Sequence, residues 1–286
     1  MKLTIGTANF LKKYGLLKTH VSRKEIIKII KFIKKKKIRN LDTAFKYDAF
    51  FKLKNQVSLK EFNISTKLYF HEGDFKKNSL EKKHLPVLKK KINYCRLRRF
   101  ETIFVHNFDD IKRKNYKKLF KFMNLLKKLN ITKNTGISLY SPEKLNYIQK
   151  DYKINIVQAP INIFDRRFLS PSVIKILKTN KLALRARSIF LQGLLLKNME
   201  KKNFQKFKNK KIFISFNNWC YKKNIDKIKV CVNFIKSQKN LSGSVIGVEN
   251  LSQLLQILYY FKSKSQNIYP KKIFSNDLRV IDARKW

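Results

Sequence analysis

Glycine, proline and cysteine are scarce in this sequence. Its 286 residues include 7 glycines, 5 prolines and 3 cysteines. No GxGxxG or GxxxxGK(S/T) pattern occurs, which weakens the case for both a dinucleotide-binding open sheet and P-loop chemistry. No Gly/Ser-rich or Pro-rich linker divides the chain. The cysteines, Cys95, Cys220 and Cys231, are odd in number and widely spaced, which argues against a disulfide framework and a CxxC metal site.

Acidic residues are also rare. There are 18 Asp and Glu residues against 67 Lys and Arg residues, for a net charge of +49. Lysine supplies 55 of the basic residues and arginine only 12, although nucleic-acid-binding proteins rely on arginine for many base and phosphate contacts. The lysines are spread along the chain, which favours solvated helix faces and no specific nucleic-acid partner. A basic patch for RNA, DNA or anionic lipid is the alternative.

Long apolar runs are missing as well. Lysines interrupt every hydrophobic segment before it reaches the roughly 20 residues that cross a bilayer. The N-terminus lacks the apolar stretch and cleavage site of a signal peptide. A hydrophobic content of 43% still provides for a sizeable core. We therefore expect a soluble cytoplasmic protein with no membrane partner, and the oligomeric state is left open.

Short apolar segments alternate with amphipathic ones along the chain. Eight are predicted as strands: 2–8, 38–44, 62–67, 101–106, 134–140, 155–160, 182–188 and 243–248. Helix signals lie between several of them: a capping-box pattern from Ser22 to Glu25, a Ser141-Pro142 start, and helical periodicity over 250–262. This alternation predicts an α/β fold, a single-domain (β/α)8 TIM barrel. A doubly wound open sheet is the competitor.

Polar residues stand at the ends of three consecutive predicted strands. Asp42 ends the second strand and Tyr47 follows it, while Lys67 ends the third and His106 the fourth. Because strand C-termini meet at one mouth of a barrel, these four side chains are predicted to form the catalytic site. Each residue alone has an ordinary structural explanation as a helix cap, a surface lysine, a packed ring or a satisfied loop histidine. The joint pattern is harder to obtain by chance.

These residue types suit proton donation to a carbonyl oxygen. An ammonium at Lys67, paired with Asp42, is expected to lower the pKa of the Tyr47 phenol. Tyr47 would then give its proton to the substrate oxygen, which His106 orients by a hydrogen bond. Proton donors at a carbonyl suit hydride addition from a nicotinamide. No metal is expected, because no His/Cys set has metal-ligand spacing.

Several blocks of sequence resemble the aldo-keto reductase superfamily. They are LDTAFKY (41–47), ISTKL (64–68), VHN (105–107), and GISLYSPEKL (136–145) with VQAPINIFDRRFL (157–169). Weaker matches, ARSIFLQGLLL (186–196) and SVIGVENLSQL (244–254), follow in the family's order. The resemblance implies an NAD(P)H-dependent oxidoreductase that reduces an aldehyde or ketone to an alcohol. The family's catalytic tetrad then falls on Asp42, Tyr47, Lys67 and His106.

The resemblance also implies cofactor contacts. Ser138 and Gln158 match positions that bind the nicotinamide carboxamide, and Ser188 and Gln192 match the loop that lines the pyrophosphate. The implied cofactor-binding residues are Thr7, Ser138, Gln158, Arg187, Ser188, Gln192, Gly247, Glu249, Asn250 and Gln253.

Three residues depart from the family pattern. Leu139 follows Ser138 where the family often has Asn. Arg187 stands where many members stack an aromatic ring on the nicotinamide, which places a cation beside the cofactor. Glu249 stands near the expected 2′ end of the adenosine, where NADPH-selective members have Lys or Arg. Its carboxylate would repel a phosphate and accept from a ribose hydroxyl. The expected cofactor is therefore NADPH or NADH, with a lean to NADH.

The substrate pocket and the C-terminus are less determined. The candidate wall residues are Phe10, Phe45, Tyr69 and Phe164. The barrel is expected to span 1–262, and 263–286 to form a C-terminal tail near its mouth. The ending, 278–286, is similar to that of bacterial members linked to surface-sugar biosynthesis, which suggests a sugar-derived carbonyl. The alternatives are a nucleotide-binding regulatory barrel without catalysis and a basic nucleic-acid binder.

Overall fold

Eight parallel strands close into a barrel. The computed structural model describes residues 2–11, 13–14, 20–47, 51, 54, 57–76, 79–148, 152–197, 211–264 and 267–286. The strands are β1 Lys2–Gly6, β2 Asn40–Asp42, β3 Asn63–Leu68, β4 Phe100–Val105, β5 Thr132–Ser138, β6 Ile156–Pro160, β7 Ala183–Arg187 and β8 Leu241–Ile246. They pair in chain order, and β8 closes on β1 with Lys2 opposite Gly243. The predicted (β/α)8 barrel is confirmed.

Each predicted strand segment overlaps an observed strand, with shifted ends. β5 begins at Thr132 and β8 at Leu241, two residues before the predicted starts. At β1 and β2 the strands end two residues early, because apolar burial continues past the last paired residue. Ala44, for example, is fully buried although β2 ends at Asp42. Apolar residues in the sequence indicate which positions are buried, and buried positions continue into the barrel mouth after the hydrogen-bonded strand pairing has ended.

Helices surround the barrel. The described residues form α1 Arg23–Lys35, α2 Ser79–Cys95, α3 Tyr116–Lys128, α4 Pro171–Thr179, α5 Lys211–Lys222, α6 Lys227–Ser237, α7 Leu251–Lys262 and α8 Leu278–Ile281. In α1 the lysines are exposed, while the isoleucines Ile26, Ile29, Ile30 and Ile33 are buried. Such a helix places one apolar stripe on the sheet and its charges in water. None of the described helices is long and apolar enough to span a bilayer.

At the start of α1 only the Ser22 half of the predicted capping box is formed. Ser22 caps the helix by accepting from the Glu25 N–H at 3.3 Å. The Glu25 carboxylate instead accepts from the backbone N–H of Leu251, at 2.7 Å, where α7 begins. A carboxylate there satisfies an otherwise unpaired donor and suits the helix dipole. The predicted start at Ser141 leads into a 3₁₀ helix, Pro142–Tyr147.

The C-terminal segment contacts the loop that follows β6. Arg166 donates to the backbone carbonyls of Lys271 at 2.7 Å and Pro270 at 2.8 Å. The Ser275 N–H donates to the Phe164 carbonyl at 2.9 Å. Loops after strand C-termini lie at the mouth of a barrel, so these contacts bring the segment to that end. The division into a barrel of 1–262 and a tail of 263–286 stays a prediction.

The barrel interior is tightly packed at Gly136 in β5. A Cβ there would lie 2.6 Å from the ring of Phe104 and 2.6 Å from the carbonyl oxygen of Ile156. We expect Gly136→Ala to lower the free energy of unfolding by about 1–3 kcal/mol, as overpacking does. Equilibrium unfolding in urea measures this loss of unfolding free energy. Gly73→Ala is the control, since no atom lies within 4 Å of a Cβ at that position. Equal losses in both variants would contradict the packing explanation.

Candidate active site

The C-terminal ends of the strands surround one cavity that gathers most of the predicted site residues. All four predicted catalytic residues line it, and so do nine of the ten predicted cofactor-binding residues. The exception is Asn250, which caps α7 by accepting from the Gln253 N–H at 2.8 Å. Asn250 lines a neighbouring groove that shares Glu249 and Gln253 with the cavity.

A buried ion pair joins β2 and β3 in the cavity wall. The Lys67 ammonium donates to one carboxylate oxygen of Asp42 and to the Thr43 carbonyl at 3.1 Å. The other Asp42 oxygen accepts from the Gln158 amide at 2.8 Å. Asp42 pairs in register with Ser65, and side chains two apart on a strand share a face, which brings Lys67 to the same side. Burial lowers the pKa of Lys67, and Asp42 opposes that shift.

Tyr47 lies in a 3₁₀ turn, Phe45–Tyr47, just after β2. Its ring stands edge-on to the His106 imidazole, with ring centres 6.2 Å apart. Burial raises the pKa of the Tyr47 phenol, and nearby Tyr14 and Asp42 add to the rise. The predicted lowering of this pKa is wrong: the net shift is upward, because withdrawal of the phenol from water and the nearby Asp42 carboxylate outweigh the neighbouring positive charge. Tyr47 therefore keeps its proton at neutral pH.

His106 follows β4, and its backbone N–H donates to the Leu68 carbonyl at 2.7 Å. The ring atom Nδ1 is buried and has no hydrogen-bond partner among the described residues. Burial, reinforced by the charge of Lys67, lowers the pKa of His106 to about 3. The imidazole is thus neutral near pH 7 and offers one N–H donor and one acceptor nitrogen. Tyr47 and His106 are both neutral hydrogen-bond donors at the cavity.

Gln158 brings an unsatisfied acceptor to the same cavity. It is fully buried in β6, and its Oε1 has no hydrogen-bond partner within the described part of the chain. Ser138, which pairs in register with Gln158 at the end of β5, lines the cavity beside it. A buried oxygen without a donor is costly. This part of the cavity therefore suits a ligand that carries amide N–H groups, such as a carboxamide.

The loop after β7 follows an uncommon backbone path. Ser188, Leu191 and Gln192 have φ values of 55°, 48° and 54°, and Gly193 has 89°. Left-handed backbone is uncommon outside glycine and clusters at functional sites. Ser188, Gln192 and Gly193 all line the cavity.

The start of α7 borders the cavity on another side. Gly247, Glu249 and Gln253 line it there. The Gln253 side-chain oxygen accepts from the Glu249 backbone N–H at 2.8 Å, which holds this turn in place.

The sequence as a whole matches the family model of the Aldo/keto reductase family over residues 2–268. The chain belongs to the aldo-keto reductase family. It is accordingly an oxidoreductase, and NAD(P)H is the family's usual cofactor. A comparison with curated protein sequences finds no match.

Solved aldo-keto reductases share the fold. Tm1743, a thermostable aldo-keto reductase solved with the inhibitor epalrestat, has a TM-score of 0.65 and 14% identity, covering 93% of this chain and 91% of that one. The Pseudomonas aeruginosa protein PA4992, itself assigned to the aldo-keto reductases, has a TM-score of 0.62 and 14% identity, covering 91% and 89%. At such identity the likeness shows the fold alone.

The aldo-keto reductase cavity has lining residues that sequence reasoning missed. Asn9, Tyr14, Tyr140 and Phe190 line it. Tyr140 comes two residues after β5, so its position after a strand end was a usable signal. Tyr14 comes eight residues after the end of β1 at Gly6, and no local pattern marked it.

The predicted pocket walls are wrong. Phe10 and Phe164 are buried in the hydrophobic core, and Phe45 packs against that core. Tyr69 is 41% exposed. None of the four is among the residues described as lining the cavity. Aromatic residues are common in this chain, and an apolar ring near a strand end is as readily buried under a helix as turned into the mouth.

Proposed function

We propose that this aldo-keto reductase reduces an aldehyde or ketone to an alcohol in the cytoplasm, with Tyr47 as the proton donor. The observation that carries the proposal is the meeting of Asp42, Tyr47, Lys67 and His106 at one cavity. They come from three strand ends and include a buried ion pair. A buried ammonium, a carboxylate and a phenol together suit acid catalysis at an oxygen.

The proposed roles follow from the protonation of each group. Reduced nicotinamide, when bound, supplies a hydride for the carbonyl carbon. Tyr47 gives its hydroxyl proton to the carbonyl oxygen, and its raised pKa keeps that proton in place throughout the neutral range. The Lys67 ammonium stabilises the resulting tyrosinate, and Asp42 holds the ammonium in position. Neutral His106 donates a hydrogen bond to the same oxygen and orients the substrate.

The cofactor would be held by this chain's own polar groups. The unpartnered Gln158 oxygen and the adjacent Ser138 fit the carboxamide of a nicotinamide. Ser188 and Gln192 would bind phosphate oxygens, and the start of α7 would hold the adenosine end. The neighbouring groove shares Glu249 and Gln253 with the cavity, which supports placing the adenosine end of the cofactor at the start of α7.

Titration of the protein with NADH and with NADPH in moderate salt tests the proposed cofactor binding. Assays of nicotinamide oxidation with a panel of aldehydes and ketones then test the proposed reduction. Sugar-derived carbonyls come first in that panel, because the C-terminal sequence resembles that of surface-sugar enzymes. Saturable binding with turnover is the expected result. Binding without turnover on any compound would favour a regulatory barrel, and absence of binding would refute the proposal.

Glu249 provides a separate prediction on cofactor choice. Its half-buried carboxylate lines both the cavity and the groove. We expect tighter binding of NADH than of NADPH, and we expect Glu249→Gln to tighten NADPH by roughly three- to fivefold, because exposed charge pairs contribute up to about 1 kcal/mol. Glu81→Gln, on α2, removes the same charge elsewhere and serves as the control. Unchanged NADPH affinity in Glu249→Gln would contradict this role.

A further inference from the structure

Three neighbouring turns form a basic surface at the end of the barrel away from the cavity. They lead into β4, β5 and β6 and comprise residues 96–101, 127–133 and 153–156, which we call the strand-start patch. The patch contains seven Lys and Arg residues and one acidic residue, Glu101. The cavity lies at the opposite ends of the same strands. At about 3.3 Å per strand residue, the patch and the cavity are on the order of 20 Å apart.

Side-chain hydrogen bonds join the three turns into one surface. The Arg99 guanidinium donates to the Asn130 side-chain oxygen at 2.5 Å, which links the first turn to the second. The Lys127 ammonium donates to the Asn155 side-chain oxygen at 3.3 Å and to the Lys153 carbonyl at 3.4 Å, which links the second turn to the third. The lysines are spread along the sequence, but the fold brings this subset together.

Most of the positive charge of the patch remains available. The carboxylate of Glu101 already pairs with the Lys133 ammonium, at 3.8 Å. Arg96, Arg98 and Lys128 are exposed, and no carboxylate of the described residues lies within 4.0 Å of them. The patch can therefore bind an anionic partner without first breaking its own ion pairs.

Helix dipoles account for only part of this charge. Cations are favoured in the last turn of a helix, and α3 has Lys127 and Lys128 there. The last turn of α2 has no basic residue, and Arg98 and Arg99 lie three and four residues beyond its end at Cys95. These two arginines are therefore not explained as partners of the α2 carbonyl groups.

Arginine is concentrated in the patch. The chain has 55 lysines and only 12 arginines, yet three of the arginines lie within four residues, at 96, 98 and 99. Lysine and arginine carry the same charge, so a need for solubility would not distinguish them. A guanidinium differs because its planar fork can bind two phosphate oxygens in parallel.

The phosphate backbone of a nucleic acid fits this surface. Arginine, lysine and asparagine side chains all bind phosphate and sugar oxygens, and Asn130 and Asn155 lie among the cations of the patch. An anionic membrane fits less well, because surface binding to lipid usually buries apolar side chains. Among the large apolar residues of the patch, Leu129 alone is exposed.

We propose that the strand-start patch binds the phosphate backbone of a nucleic acid without reading its base sequence. The binding is separate from the proposed reductase function, because the patch and the cavity lie at opposite ends of the barrel. A strand held on the patch leaves the barrel mouth open to cofactor and substrate.

The test measures binding of a fluorescent oligouridylate, about 20 nucleotides long, by anisotropy over a range of salt concentrations. Three proteins are compared: wild type, a patch variant and a control variant. Each variant loses two exposed arginines and one exposed lysine, so both have the same net charge. The patch variant is Arg96→Gln, Arg98→Gln and Lys128→Gln. The control variant is Arg23→Gln, Arg113→Gln and Lys117→Gln, at the cavity end of α1 and α3.

Wild type is expected to bind with a dissociation constant on the order of micromolar at about 0.15 M salt. The patch variant should bind at least about tenfold more weakly. Its slope of log K against log salt should be smaller by about two, since each phosphate contact in a single strand contributes about 0.7. The control variant should change the affinity by less than about threefold. Melting temperature and reductase activity are measured for both variants and should stay at wild-type values.

Three outcomes would overturn the inference. Equal losses of affinity and slope in the two variants would assign the binding to diffuse charge. Absence of wild-type binding at about 0.15 M salt would leave the patch without this partner. Binding to vesicles of phosphatidylcholine and phosphatidylserine that depends on the patch more than oligouridylate binding does would identify a membrane surface instead. Each of these outcomes leaves the proposed reductase function intact, because cofactor binding and turnover are measured separately.

Discussion

Tyr47→Phe should lower kcat for carbonyl reduction by at least about a hundredfold, the usual contribution of a positioned acid. The variant loses only the hydroxyl, whose proton the raised pKa keeps available near neutral pH. The dissociation constant of the reduced cofactor should change by less than about twofold, since the proposed interaction develops only in the transition state. Steady-state assays and fluorescence titration measure the two effects separately.

Tyr69→Phe is a closely matched control for this variant. The Tyr69 ring also stands edge-on to His106, with centres 6.3 Å apart, compared with 6.2 Å for Tyr47. Tyr69 is 41% exposed and lies outside the described lining of the cavity. Its hydroxyl should therefore be dispensable. Equal kcat values for Tyr47→Phe and wild type would remove Tyr47 from the proton-donor role.

Lys67→Met should be the most destabilising of the substitutions considered. It removes the partner of a buried carboxylate, as Lys67 and Asp42 are 5% and 4% exposed. Breaking a buried pair from one side costs about 3–5 kcal/mol, because the remaining charge stays away from water without compensation. Urea unfolding should show a loss of that order. Where the variant folds, kcat should also fall, since the proposed stabilisation of the tyrosinate by the Lys67 ammonium is lost.

Lys31→Met on the exposed face of α1 is the control for this loss. Surface substitutions usually change the free energy of unfolding by less than about 0.5 kcal/mol. The double variant Asp42→Asn with Lys67→Met should recover part of the stability, because it removes the unpaired carboxylate. An additive loss in the double variant would contradict coupling between the two residues.

The sequence alone was enough to predict the barrel and the meeting of Asp42, Tyr47, Lys67 and His106 at its mouth. Eight apolar segments alternated with amphipathic ones, and parallel strands in a barrel must all point the same way. Their C-terminal ends therefore meet, and the residues that end β2, β3 and β4 were expected together before any distance was known. The order of polar residues at strand ends is a local property of the chain. A prediction based on it therefore holds even when the strand boundaries are misplaced by one or two residues.

Cavity walls were not predictable in the same way. Tyr14 and Phe10 are four residues apart, yet Tyr14 lines the cavity and Phe10 is in the core. Both are aromatic and neither stands in a regular periodic element, so sequence pattern could not separate them. The Glu25 carboxylate is a similar case. It accepts from a backbone N–H at the start of α7, 226 residues away in sequence, and not from the start of its own helix.

By itself, the sequence determined the alternation of strands and helices, the family, and the four residue types that reach the barrel mouth. Only the tertiary structure decided their protonation and their surroundings. The pKa of Tyr47 rises rather than falls, and His106 is neutral. Those properties depend on burial and on distances between groups remote in the chain. Such distances arise only when the strands close into a barrel, and no local pattern records them.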